Sequence, residues 1–396
     1  MRATTVRRSG FGLALLCAAT LAAGCGSSDD TASTSTAAAG GSSGATETTA
    51  ASSGVADAQK ELDAYRGVPT FEAPGEPFDA RRLVAGKTLM SIPASSSIPF
   101  VQTLQDGVRE LSGEVGMRFL DWPNQGKPVE WVQGMNAGVD RRVNAINLMA
   151  GINPGSIGPQ VSAAKAARIP VIASHLYDVG DTPAEGVDTV SIPYEQAGRL
   201  LADWVVARTG GKGDTLVVKI DEVVSTAPMM RGIQDVFDRA CGDDCPVSTI
   251  NVAIADVATK IQPQVQSELV KNPNIRYVIA LYDSAEAPFV VAAIKAAGAA
   301  SRVRVVTFNG TPSVLRMVKS GDVEMDVAEN LEWVSYAITD QAMRLIGGLE
   351  PVSDPKLPLR IFDADNIDEA GTNPATAEGF GDEYRAGYRK LWGLGG

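Results

Sequence analysis

Between Lys87 and Val327 the sequence alternates short apolar runs with longer amphipathic stretches, twice over, and this rhythm restricts the fold more than any other feature. Thr88 to Pro93, Met117 to Trp122, Ala145 to Met149 and Pro170 to Ser174 read as strands, with helices over Pro99 to Val115, Val129 to Val143 and Ile157 to Ala167 between them. In the first helix Phe100, Val101, Leu104, Val108, Leu111 and Val115 recur at helical spacing and form one apolar stripe. The strands are apolar without alternation, as in Val171-Ile172-Ala173, which predicts sheets covered on both faces; repeated strand–helix units make such sheets parallel.

A second series follows. Strands are expected over Thr215 to Ile220, Ser248 to Ile254, Tyr277 to Leu281, Val303 to Phe308 and Val323 to Val327, and helices over Gln196 to Arg208, Met229 to Arg239, Ala258 to Lys271 and Ala287 to Ala297. About 300 ordered residues exceed one comfortable core, so two α/β lobes are predicted. The helix over Trp333 to Gly347 has no strand of its own after the second series and is expected to return to the first lobe. The resulting division is 87–191 with 330–350 for the first lobe and 192–329 with 351–372 for the second. Residues 55–86 form an N-terminal helix and strap, and 373–396 a C-terminal helical extension.

The N-terminus bears on compartment. Arg2, Arg7 and Arg8 precede an apolar run from Phe11 to Leu21, followed by Ala22, Ala23, Gly24 and Cys25, the order of a signal peptide over residues 1–24. The run is too short to span a bilayer as a helix. Leu21-Ala-Ala-Gly-Cys25 resembles a bacterial lipobox, which implies that Cys25 is lipidated and anchors the chain to the outer face of a membrane. From Gly26 to Gly54 there is no Leu, Ile, Val, Met or aromatic residue, so residues 25–54 are expected to be a disordered tether with a reach of roughly 30 Å.

Charge and cysteine usage agree with export. The formal net charge is −12, and loss of the leader arginines would take it to −15. No cluster of Lys and Arg accompanies that acidity, which argues against a nucleic-acid partner. Cys241 and Cys245, in Cys-Gly-Asp-Asp-Cys, read as a local disulfide in an oxidising compartment. With a single histidine, His175, and no CxxC or HExxH string, no metal site or cofactor is predicted.

Enzyme signatures fail on context. The GxSxG string over Gly40 to Gly44 lies in the tether, where no strained strand-to-helix elbow can form. Gly86-Lys87-Thr88 mimics the end of a phosphate loop, but Arg81 stands where its first glycine is needed.

In open parallel sheets a ligand sits beyond the carboxyl ends of the strands. The strand-end loops here carry Ser95, Ser96, Ser97 and Phe100; Trp122, Asn124 and Gln125; His175 and Tyr177; Tyr282 and Asp283; Asn309; Glu329 and Asn330. Five strings along these segments then carry a family resemblance: Ile98 to Gly107, Ile169-Pro-Val-Ile172, the Arg231-led helix ending at Phe237, Tyr277 to Asp283, and Val305 to Pro312. Over roughly Lys87 to Glu350 the chain resembles the type I periplasmic binding proteins of the ribose- and galactose-binding class. The resemblance implies sheets ordered 2-1-3-4-5 in both Rossmann-like lobes, three crossover strands forming a hinge, capture by closure and an ATP-driven (ABC) permease as partner. It also implies a monomer that binds a small molecule and catalyses nothing.

Position by position, the resemblance puts a stacking ring at Phe100 and a polar contact at Ser97. The sugar-gripping Asp of the family falls on His175 and the Arg after it on Leu176, while the binding arginine falls on Arg231. An Asn becomes Tyr282, an Asp becomes Asn309, and a Gln becomes Glu329 at a hinge crossing. Trp122 and Tyr177 complete the expected ligand contacts. Exchanging acids and amides for His, Tyr and Asn changes the donor and acceptor pattern, so a ligand with more acceptors or more aromatic surface than a free sugar is expected. A receptor that presents the bound solute to a sensor kinase or chemoreceptor is the competing function, because the same closure serves both.

Overall fold

The computed structural model describes residues 44–371 and 378–395. The expected signal peptide, Cys25 and the tether up to residue 43 lie outside the described residues, as do 372–377 and 396. Residues 44–54, expected to belong to the tether, instead open α1 (Gly44–Ala64), whose Ala58 and Leu62 are buried. Alanine-rich sequence tolerates a helix well, and apolar residues absent before Gly54 appear just beyond it, where the helix finds a surface to cover.

After α2 (Ala80–Val84), the first lobe is built from β1 (Thr88–Pro93), α3 (Pro99–Glu114), β2 (Arg118–Asp121), α4 (Pro128–Asp140), β3 (Ala145–Met149), α5 (Gly158–Ala166), β4 (Val171–Asp178) and β5 (Val187–Ile192). Its sheet runs β2-β1-β3-β4-β5, all parallel. β1 and β3 are buried almost throughout, as the unbroken apolar runs require.

The second lobe follows with α6 (Tyr194–Thr209), β6 (Asp214–Lys219), α7 (Thr226–Ala240), β7 (Val247–Asn251), α8 (Val257–Lys271), β8 (Ile275–Ala280), α9 (Asp283–Ala296), β9 (Arg304–Asn309), α10 (Pro312–Ser320) and β10 (Met325–Glu329). Then come α11 (Leu331–Gly347), β11 (Leu359–Asp363) and α12 (Glu383–Leu391). The second sheet repeats the order as β7-β6-β8-β9-β10 and adds β11 as an antiparallel edge. The extra strand follows from the path of the chain: β10 runs toward the hinge, α11 is spent on the first lobe, and the returning segment runs back beside β10. α6 and α7 pack closely because Gly198 faces the Met229 carbonyl and Gly232 the Glu195 carbonyl, where any Cβ would overlap.

α11 packs against α3 and the first sheet. The segment before it bridges both lobes. α1 lies on α6 and α7, and Tyr65 O accepts from Ile361 N at 2.9 Å on the β11 edge. A few residues on, Phe71 joins an aromatic cluster on the first lobe, 5.7 Å from Trp333 and 5.3 Å from Tyr388, with Trp333 stacked on Tyr384 at 4.8 Å. α12 completes that cluster and seals α11: Trp392 Nε1 donates to Asp340 at 2.8 Å. Cys241 and Cys245 are joined as a disulfide at the end of α7.

Candidate ligand-binding cleft

The carboxyl ends of the two sheets enclose a cavity of about 380 Å³. The first lobe contributes Ser95, Ser97, Phe100 and His175, and the second Ser225, Tyr282, Asp283, Ser284 and Asn309. Apolar residues fill much of the remaining wall, among them Ile98, Ile220, Val223, Ile254 and Phe289. The lobes touch beside it, where the Phe100 amide at the start of α3 donates to Ser284 Oγ at the start of α9, at 3.2 Å.

Backbone geometry aims the polar residues. His175 has φ +56° and Asn309 φ +141°, conformations uncommon for residues with a Cβ. The register of β4 against β5 shifts between Ser174 and Asp178, so His175 stands on a bulge that turns its side chain toward the second lobe. Such local strain costs of order 1–3 kcal/mol per residue and persists only when the surroundings enforce it.

Here the surroundings are explicit. His175 is 4% exposed, and its Nδ1 accepts the Tyr194 hydroxyl at 2.8 Å while Nε2 donates to the Glu329 carboxylate. Asn309 Nδ2 donates to the same Glu329 oxygen at 3.1 Å. Phe100 covers the imidazole at a centroid separation of 4.5 Å. Burial, and then the charge of Glu329, pushes the Tyr194 phenol well above its ordinary range, so it remains a hydroxyl. A residue of the first lobe is thereby gripped by two of the second, one of which Asn309 holds in place.

Asp283 opens α9 and ties down the next strand end: its Oδ2 accepts from Thr311 N at 2.6 Å and its Oδ1 from Thr311 Oγ1 at 2.7 Å. Burial pushes its carboxyl up to about 7 against those hydrogen bonds. Glu286 and Asp326, also buried, are pushed well above the carboxylate range for the same reason. The Tyr282 hydroxyl lies 2.9 Å from Ser225 Oγ and 2.8 Å from Thr226 Oγ1.

Ser97, Phe100, His175, Tyr282 and Asn309 therefore line one cavity, with Glu329 behind it. Three expected contacts are placed elsewhere. Arg231 sits on the outer side of α7 with its side chain 54% exposed, donating to Glu195 at 3.1 Å. It was expected in the cleft, but the face of α7 that packs inward is the apolar one, which leaves the guanidinium in solvent. Trp122 donates from Nε1 to Glu130 O at 2.9 Å and lies against Gly134, inside the first lobe. Tyr177 accepts at its hydroxyl from Ala184 N at 3.2 Å and packs in the core of that lobe.

Sequence reasoning missed Tyr194, Ser225, Thr226 and Ser284, together with the apolar lip. Tyr194 had one available signal, its position just after Ile192-Pro193 at the first crossing between lobes. The others carry none, since a serine or isoleucine at a loop has no distinctive spacing.

The periplasmic binding protein domain family matches residues 89–350. Among curated relatives, the ribose import binding proteins RbsB of Salmonella typhimurium and of Escherichia coli are each 24% identical over 273 residues, covering 67% of this chain and 86% of the relative. Among solved structures, a 5-methylthioribose transporter solute binding protein from Thermotoga lettingae superposes with a TM-score of 0.66 at 17% identity, covering 80% of this chain and 100% of that one. An ABC transporter solute binding protein from Agrobacterium vitis bound to α-D-tagatopyranose gives a TM-score of 0.65 at 18% identity, over 74% of this chain and 100% of that one. The chain belongs to the periplasmic binding protein domain family as a type I solute-binding protein of the ribose- and galactose-binding class, a family of extracytoplasmic, substrate-binding, non-enzymatic proteins.

Proposed function

We propose that this protein is the lipid-anchored receptor of an ABC importer and that it captures one small solute by closing its two lobes. The observation that carries the reading is the cavity between the carboxyl ends of the two sheets, with both lobes supplying its polar wall. A ligand touching both walls binds the closed form better than the open one and so shifts the population toward closure. The ribose import proteins and the sugar-bound structures among the relatives support the importer role.

Anchoring rests on the leader and the lipobox-like Leu21 to Cys25. The tether expected after Cys25 then holds the lobes within reach of a permease.

Thermal-shift screening of sugars, polyols, glycosides and nucleosides selects binders, because a ligand at 100 times its Kd adds roughly 2.7 kcal/mol. X-ray scattering with each binder should show a smaller radius of gyration. An unchanged radius with every binder would remove closure from the account. Cys25→Ser should move the protein from the membrane fraction to the soluble one, and retention in the membrane would remove the anchor.

A further inference from the structure

The polar groups around the cavity are for the most part already engaged with protein partners. Both nitrogens of His175 are bonded, to Tyr194 and Glu329, so the imidazole offers the cavity only its carbon edge and its face, and Phe100 covers part of that. The Asn309 amide donates to Glu329, and both oxygens of Asp283 accept within the second lobe. Ser95 and Ser97 hydroxyls lie 3.0 Å apart, and Ser284 Oγ already accepts the Phe100 amide.

What is left for a ligand is hydroxyl valence at the serine lip, the Gln125 amide at the exposed rim and the carbonyl oxygen of Asn309. Beyond it lies an apolar surface made by Phe100, the His175 face, Ile220, Val223 and Ile254. Among the described residues lining the cavity none is Lys or Arg, and Asp283 is the single carboxyl. An anion would be buried without a countercharge, and a cation would find only a carboxyl whose oxygens are occupied. A free sugar would strip water from hydroxyls over most of its ring against carbon walls, and each hydroxyl left without a partner weakens binding.

We propose that the ligand of this cleft is neutral and amphipathic, with a few hydroxyl or carbonyl groups at the serine lip and an aryl or alkyl part against the apolar wall. The proposal rests on the reading of the cleft as a capture site and adds the chemical class of what is captured. His175 is on this account a positioning residue that holds an aromatic wall in place, in contrast to a hydrogen-bonding grip on the solute.

Calorimetric titration of the full chain with D-glucose, phenyl β-D-glucopyranoside, D-gluconate and D-glucosamine tests it. The phenyl glucoside should bind at least tenfold tighter than glucose, and neither charged analogue should exceed glucose. Phe100→Ala, and independently Ile254→Ser at the half-buried lip, should each lower phenyl glucoside affinity at least tenfold. Glucose or a charged analogue equalling the phenyl glucoside would overturn the proposal, as would its failure to bind or its indifference to both variants. Compaction in scattering with glucose at equal or higher affinity would keep the capture reading while removing this one. No compaction with any of the four would count against both.

Discussion

The two lobes share a strand order and differ in how many acids they bury near their carboxyl edges. In the first, Gln105 Nε2 donates to the partly exposed Asp121 at 2.6 Å, Ser91 donates to Gln105, Asn147 lies 3.4 Å from Ser91, and the buried Asp178 at the end of β4 accepts from Tyr194 N at 2.8 Å. In the second, Asp283, Glu286, Asp326 and Glu329 are all buried, and their bonded partners in the same lobe are neutral amides and hydroxyls. The one imidazole that reaches this group, His175, belongs to the first lobe. Topology therefore decides where ligand-facing groups stand and leaves their electrostatics open. A fold of this kind becomes one working unit where a residue of one lobe satisfies the other.

The largest effect should come from removing the junction itself. Glu329→Ala strips His175 Nε2 and the Asn309 amide of their shared acceptor, and each buried donor left unsatisfied costs about 1–3 kcal/mol. Urea denaturation should show that loss. A change within error would mean that the junction does not hold the lobes and that the contrast between them is inert.

Next comes pH, through the acids of the second lobe. Behind its sheet on α6, burial pushes Asp203 up from 3.8 to about 7, and Asp283 moves the same way. The folded state keeps protons that the unfolded chain loses near pH 4, so stability falls as pH rises from about 4 to about 7 and levels off above. Asp203→Asn should remove its share, gaining on the order of 2–4 kcal/mol at pH 8 and almost nothing at pH 4. Melting temperatures of both proteins across that range check the sign. A gain of equal size at both pH values would show that the carboxyl is not what titrates.

The smallest effect is expected on the outer surface. Arg231→Ala removes a half-exposed ion pair with Glu195, worth less than about 1 kcal/mol to stability. Ligand affinity should be unchanged, and a tenfold loss would mean that α7 turns its guanidinium into the cleft on closure.

Among the cleft residues, Phe100 and Ser97 were accessible to sequence reasoning because the loop after β1 and the first turn of α3 lie at the carboxyl edge of the sheet. The same reasoning failed for Arg231, which lies on a helix whose inward face is set by packing. It also failed for Trp122 and Tyr177, whose polar atoms are taken up by nearby backbone groups. Tyr194 became visible only when α6 was placed across the hinge from β4.

The order of elements in the sequence determined the parallel sheets, their strand order and the bonded cysteines, because periodicity, loop length and short-range closure are local properties. The tertiary structure alone decided that His175 is caged, that Arg231 stands in solvent and that the cleft is walled largely by carbon. Those outcomes depend on the direction of single side chains, which a bulge, a left-handed φ and contacts between residues more than a hundred positions apart control.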